Sequence, residues 1–343
     1  MGGSLESYRL YKSPYALGKG DTGVADTDDH EAIFYNPAGL AQGKGIYKET
    51  VFASPSVVFS SDTKNLVRKI TVENDSSIAS LREHVGKNQH ISVTNFTGIV
   101  FRRAAIGAIA NTTNNLLLYK SAENRGVEIL EAESTTTTGL TFSFAEAFFK
   151  DSLMLGTTLK YLRQSHAELN INVVDAENLS DQLSSDEIQN DYTGFGGDFG
   201  LLWNFGNKKS KKTMGLHVEN VGGLSLINNK TDGKGRKLPQ LINFGLGFDI
   251  GTRLSSMKFN FDFRDLTNQI EPNFFKKIHI GSELSFASVF GFTGGVNQGY
   301  PTAGLFVNLY LVRMDVGITT QEVGDKAGAR ADERFFIRIM SGF

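Results

Sequence analysis

Toward the C-terminus, apolar and polar residues alternate with a period of two. In 256-SMKFNFDFRDL-266, Met257, Phe259, Phe261 and Phe263 fall on one face, while Lys258, Asn260, Asp262 and Arg264 fall on the other. Successive side chains of a strand point to opposite faces, so this predicts a strand with one apolar and one charged face. The same pattern recurs in 276-KKIHIGSELSFAS-288, 302-TAGLFVNLYLV-312, 313-RMDVGITTQ-321 and 333-ERFFIRIMSGF-343. Upstream it marks 240-QLINFGLGFDIG-251, 191-DYTGFGGDFGLLWNFG-206 and 152-SLMLGTTLKYLRQ-164. Weaker candidates are 213–220, 134–149, 105–120, 91–101 and 46–61, and the last carries Pro55, which fits poorly in a central strand. With 289-VFGFTGGVN-297 the count is fourteen.

A soluble sandwich buries its apolar faces against a second sheet and rarely carries this many strands with this much charge on the other face. A membrane barrel requires this pattern, with apolar residues toward lipid, polar residues toward the lumen and no open edge. The expected fold is therefore all-β, a transmembrane antiparallel β-barrel of about 14 strands over 46–343, preceded by an N-terminal segment over 1–45. The connections agree. After the first strand, long polar ones (62–90, 121–133, 165–190, 221–239, 265–275, 322–332) alternate with short turns, 298–301 being the short exception. Bacterial outer-membrane barrels put short turns in the periplasm and long loops outside, and an even strand number puts both termini in the periplasm. The loop at 76–86 is expected to hold a turn or two of helix capped by Ser76 or Ser77, and 174–191 is strongly acidic.

Composition narrows the class further. The formal net charge of -2 gives no reason to expect a nucleic-acid partner. The absence of cysteine removes disulfides and thiolate metal sites and suits an oxidising compartment. Glycine (37) and phenylalanine (26) are abundant, as in β-rich envelope proteins. No apolar run is long enough for a transmembrane helix. The opening MGGS reads as an addition to a mature start, so a native signal peptide is expected to have been removed.

The N-terminal run 18-GKGDTGVADTDD-29 and the following 31-EAIFYNPAGLAQ-42 break the alternation. Asn36 can cap a turn, Pro37 fixes φ, and Gly39 allows backbone that other residues avoid. This stretch resembles the N-terminal segment of the FadL-type (long-chain fatty acid transporter) superfamily of outer-membrane barrels, including its PorV-like branch. So do 218-VENVGG-223, 238-LPQLINFGLGF-248, 262-DFRDL-266 and 292-FTGGVNQGYPTAGL-305, and the resemblance spans nearly the whole chain. It implies an outer-membrane location and a lumenal hatch containing Asn36, Pro37, Ala38 and Gly39. The residue-level alternative is a turn that only anchors the chain. The terminal Phe343, with Phe335, Ile337 and Ile339 at alternate positions, resembles the strand read by the barrel-assembly machinery, although Ser341 departs from that pattern.

Inward positions carry the only constellation of charge: Asp198, Lys258, Asp262, Arg264, His279, Glu283, Arg313, Asp315, Arg334 and Arg338, with His217, Glu219 and Asp249 beside them. No serine elbow accompanies either inward histidine, and no His/Asp spacing dictates a metal. The expectation is an ion-pair network that ties the wall together, no catalytic residues, no cofactor and no enzyme activity. Inward glycines (Gly194, Gly196, Gly200, Gly245, Gly247) leave room or let a plug approach closely. A polar or plugged lumen follows, and lipid contact moves to the outer wall. The leading function is a porin-like barrel that binds or moves lipids, fatty acids or other hydrophobic molecules, in one form as a homo-oligomer holding lipid between subunits. The alternatives are a PorV-like partner-binding barrel, which uses loops 165–190 and 221–239, and a diffusion pore for polar solutes.

Overall fold

The computed structural model describes residues 9–343, apart from 44, 64–84, 121–127, 173–188, 208–209, 231–233, 253 and 325. The helix expected near Ser76 and most of the acidic stretch 174–191 lie outside the described residues. Seventeen strands join in one antiparallel sheet among the described residues. The first are β1 (Tyr47–Ala53), β2 (Ser56–Ser60), β3 (Asn88–Phe101), β4 (Ala104–Lys120), β5 (Glu128–Phe148) and β6 (Leu153–Asn172). Next come β7 (Gln189–Asn207), β8 (Ser210–Glu219), β9 (Leu224–Asn228), β10 (Arg236–Leu238), β11 (Leu241–Gly251) and β12 (Ser255–Phe263). The last are β13 (Ile278–Phe286), β14 (Phe290–Asn297), β15 (Tyr300–Leu309), β16 (Val312–Glu322) and β17 (Ala331–Gly342).

β1 and β2 are two halves of one wall strand, because both pair with β3 and with β17. The break falls at Ser54 and Pro55, where proline has no N–H for the ladder. Side chains and free carbonyls close the gap: Ser54 N donates to Asn95 Oδ1 at 3.0 Å, and Ile339 N donates to Pro55 O at 3.1 Å. β9 and β10 form a hairpin that is not part of the wall, since β8 pairs directly with β11. Fourteen wall strands remain, and pairing of the first with the last closes the barrel. At the seam Thr50 and Phe343 exchange both backbone hydrogen bonds, at 2.7 and 3.0 Å. Closure leaves no strand edge to face hydrocarbon.

The outward face is apolar, as the alternation predicts. Met257, Phe259, Ile280, Leu284, Phe292, Leu305, Val307 and Ile337 are all exposed there. The short-turn rim carries exposed Tyr47, Phe101, Phe148, Trp203, Phe290 and Phe343, an aromatic girdle of the kind that barrels set at a membrane interface. The turns at this rim are tight. Between β13 and β14, Ala287 and Ser288 both take positive φ, at 50° and 57°, the mirror-image turn whose twist suits a two-residue hairpin. No helix among the described residues is long and apolar enough to cross a membrane, a test that says nothing about crossing by strands.

Candidate functional site

Residues 9–42 lie within the barrel and are almost entirely buried. They contain α1 (Pro14–Gly18), α2 (Ala32–Tyr35) and a 3-10 turn, Pro37–Ala41. Two of these three begin on a side-chain cap followed by proline. Ser13 accepts from Ala16 N with Pro14 in the first turn, and Asn36 accepts from Ala38 N with Pro37 in the first turn. A side-chain oxygen on the cap satisfies an orphan N–H, and proline lacks the N–H that would be stranded there.

Inward glycines receive this segment. A Cβ on Gly156 of β6 would lie 2.4 Å from Ala38 N, and one on Gly200 of β7 would lie 2.1 Å from Asn36 Oδ1. The contact continues around the wall. A Cβ on Gly215 of β8 would press into Val24 O, one on Gly281 of β13 into Lys19 O, and one on Gly295 of β14 would lie 2.7 Å from Gly20 N. Any side chain at these positions would occupy space that the plug backbone fills. Asn36 ties the segment to two strands, with Nδ2 donating to Val24 O at 2.8 Å, to Leu201 O at 3.1 Å and to Leu216 O at 3.4 Å. Pro37, Ala38 and Gly39 follow it, fully buried, against β6 and β7, and a Cβ on Gly39 would press into Thr27 O.

The inward charges face the plug at least as much as one another. Arg338 donates to Asp315 at 2.8 Å and to Glu31 of the plug at 2.7 Å, all three side chains being buried. Arg313 joins Asp315 at 3.0 Å and lies over the Tyr15 ring. Arg264 pairs with Asp21 of the plug at 2.7 Å, and Arg9 pairs with the same carboxylate at 2.6 Å. Burial alone would raise the Asp21 carboxyl, but the two guanidiniums outweigh it and hold it well below the usual range. Asp262 accepts from Gly23 N and Val24 N at 2.8 and 3.1 Å. His279 Nδ1 meets Gly20 O at 3.0 Å, Glu283 accepts from Tyr15, and Lys258 lies 3.8 Å from Glu283. Two predicted residues belong to other groups. Asp198 pairs with Lys160 at 2.7 Å, and Arg334 pairs with Asp332 at 2.8 Å. Phe343 stands at the barrel seam, with its carbonyl also accepting from Tyr47 at 2.8 Å.

Sequence reasoning missed the plug's own charges, Arg9, Asp21 and Glu31, and two wall partners, Lys160 and Asp332. Lys160 was open to discovery, because it alternates with Leu159 and Tyr161. Asp21 and Glu31 lie in a segment without periodicity, so no face could be assigned to them.

Cavities remain on both sides of the plug. Toward the long loops, the β9–β10 hairpin folds inward until Leu224 and Leu226 press against Gly196 and Gly194. Beneath it is a cavity of about 250 Å³ bounded by Leu10, Leu162, Leu238, Leu241 and Ile270, with Lys160, Arg236 and Lys237 among the polar lining. A smaller polar cavity of about 60 Å³ lies across the lumen, lined by His90, Asn111, Asn115, Thr135 and Arg334. Toward the short turns, a cavity of about 300 Å³ is bounded by plug carboxylates and by Lys258, Glu283 and Arg313.

Similar architectures are known. The Ralstonia pickettii toluene transporter TbuX superposes with a TM-score of 0.54 at 12% identity, covering 98% of each chain. The CymD monoaromatic hydrocarbon channel gives 0.52 at 11% identity, again over 98% of each chain. The Pseudomonas putida toluene transporter TodX gives 0.50 at 11% identity, over 99% of this chain and 98% of that one. Residues 88–231 match the family model described as F plasmid transfer operon, TraF, protein. No curated protein matches. A closed wall of fourteen strands around a buried N-terminal segment, superposed end to end on these three solved structures, gives this chain their fold.

Proposed function

We propose that this protein is a non-enzymatic outer-membrane barrel that binds hydrophobic molecules with an anionic or polar head at its long-loop mouth. They pass inward when the plug shifts. The observation that carries this reading is the 250 Å³ cavity under the β9–β10 hairpin. Its wall is apolar at Leu10, Leu162, Leu241 and Ile270, and Arg236 and Lys237 supply cations at its edge. Ligand sites combine an apolar lining with a few placed polar groups in this way. Leu10 belongs to the plug, so a ligand in this cavity touches the segment that would have to move. The names of the similar channels, which concern toluene and monoaromatic hydrocarbons, support the hydrophobic class. The apolar outer wall suits lipid and a homo-oligomer that traps lipid between subunits, and Phe343 suits recognition by the barrel-assembly machinery. A static diffusion pore for polar solutes fits less well with a lumen filled by residues 9–42.

The test is displacement of a fluorescent fatty acid from the detergent-purified protein. Lys237→Glu at the edge and Ile270→Glu in the wall should each weaken binding at least tenfold, about 1.4 kcal/mol. Equal affinity in both variants and the wild type would move the ligand elsewhere and overturn the assignment.

A further inference from the structure

On the opposite side of the plug, folding brings a third side chain to two that are adjacent in sequence. Asp29 and His30 belong to the plug, and Glu49 projects from β1. One ligand atom from each lies within 4.8 Å of the others. His30 is buried and stacks on Phe96 with ring centroids 5.4 Å apart, which fixes the plane of its ring. Its Nδ1 lies 3.0 Å from Glu49 Oε1. Asp29 Oδ1 accepts from Glu31 N at 2.9 Å, which orients that carboxylate.

Asp29 also lines the 300 Å³ cavity toward the short turns, together with Asp26, Asp28, Glu31 and Glu283, against only Lys19, Lys258 and Arg313. Two of these carboxylates hold oxygens that no group among the described residues satisfies. Asp26 Oδ1 and Glu31 Oε2 are buried without a hydrogen-bond partner, and the Glu31 side chain is about 1% exposed. A buried carboxylate oxygen without a donor is costly, and a cation with its bound waters would supply what is missing.

We infer that Asp29, His30 and Glu49 form a binding site for a divalent transition-metal ion, reached from the short-turn mouth through this acidic cavity. One imidazole with two carboxylates suits Zn²⁺ or Mn²⁺ and disfavours Ca²⁺ and Mg²⁺, which prefer oxygen-only shells. The ion replaces the proton between His30 Nδ1 and Glu49, so binding releases that proton. Two ligands ride on the plug and one on the wall, so the metal joins them at the point where the chain leaves the plug for β1. This site does not depend on the hydrophobic cavity on the other side.

The experiment uses the untagged full chain in detergent, stripped with chelator and titrated with ZnCl₂ by calorimetry, with metal content measured in parallel. One Zn²⁺ per chain is expected. His30→Ala and Glu49→Gln should each weaken binding at least tenfold, while the heat-modifiable electrophoretic shift shows that each variant is folded. Asp29→Asn removes a ligand from a half-buried position and serves if His30→Ala does not fold. Absence of binding, affinity unchanged in Asp29→Asn and Glu49→Gln, or displacement of Zn²⁺ by equimolar Ca²⁺ would each overturn the inference.

Discussion

Adding one methyl group to Gly200 should loosen the plug while leaving the barrel standing. In Gly200→Ala the new Cβ would lie 2.1 Å from Asn36 Oδ1. Non-bonded heavy atoms settle at about 3.5 Å, so the amide must retreat by more than about 1 Å. That retreat breaks the cap on Ala38 N and the donations from Nδ2 to Val24 and Leu201. Each lost bond costs about 1 kcal/mol net, a stranded buried donor about 1–3, and the cap about 1. Their sum, about 4–6 kcal/mol, falls on docking, because the outward face and ladder of β7 are untouched. At about 1.4 kcal/mol per decade, the released fraction should rise by about three to four orders of magnitude. The chain has no cysteine, so a spin label at Asp28→Cys, on the one exposed stretch of the plug, reports without competing thiols. Its spectrum should sharpen in Gly200→Ala, and steady conductance should appear in planar bilayers. Gly294→Ala is the control, since its Cβ would meet nothing closer than 3.8 Å. An immobile label and a silent bilayer in Gly200→Ala, with the heat-modifiable band retained, would refute the claim that this contact holds the plug.

Arg338→Met should cost about 3–5 kcal/mol in denaturant unfolding, because it leaves Glu31 and Asp315 buried beside each other without their shared cation. The plug should hold more tightly at pH 9 than at pH 7. Burial pushes the Lys12 ammonium down to about 7, with Asp21 opposing and Arg334 and Arg264 adding to the shift. A released plug keeps that proton until about 10, so between these limits the released form binds more protons and docking strengthens as pH rises. Lys12→Met should flatten this slope in the spin-label signal. Phe343→Ala keeps the backbone pair with Thr50, so it should slow assembly in cells and leave the unfolding midpoint nearly unchanged. A large drop in the midpoint would make Phe343 a structural residue rather than a recognition signal.

Alternation made the wall legible because a closed barrel in lipid forces every strand to separate its two faces. Met257 to Arg264 show this residue by residue. The kink at Pro55 was legible as a misfit, though not as a strand split into two paired halves. The sequence of the β9–β10 hairpin reads as loop, since five residues at 224-LSLIN-228 followed by a polar turn give too short a period to distinguish. Its sequence signal lay across the barrel in Gly194 and Gly196, which are small where Leu224 and Leu226 arrive. Alternation assigns the charges a face but not a partner. Pairing Arg338 with Glu31 or Arg264 with Asp21 requires knowing how an aperiodic segment threads the lumen, and no local rule supplies that. Glu49 joins the adjacent Asp29 and His30 only after the plug meets β1, so that cluster is not legible either.

The plug is synthesised before any strand of the wall that holds it. Gly20 bonds Thr302 across 282 residues of chain, Gly23 bonds Asp262 across 239, and Glu31 meets Arg338 across 307. Loop-closure entropy delays contacts of such separation until the intervening chain is ordered. The plug therefore waits for partners made after it, and it must stay extended and soluble throughout export. The acidic, glycine-rich run 18–29 meets that need: the charges that lock the plug in the finished barrel also keep it from collapsing on the way there.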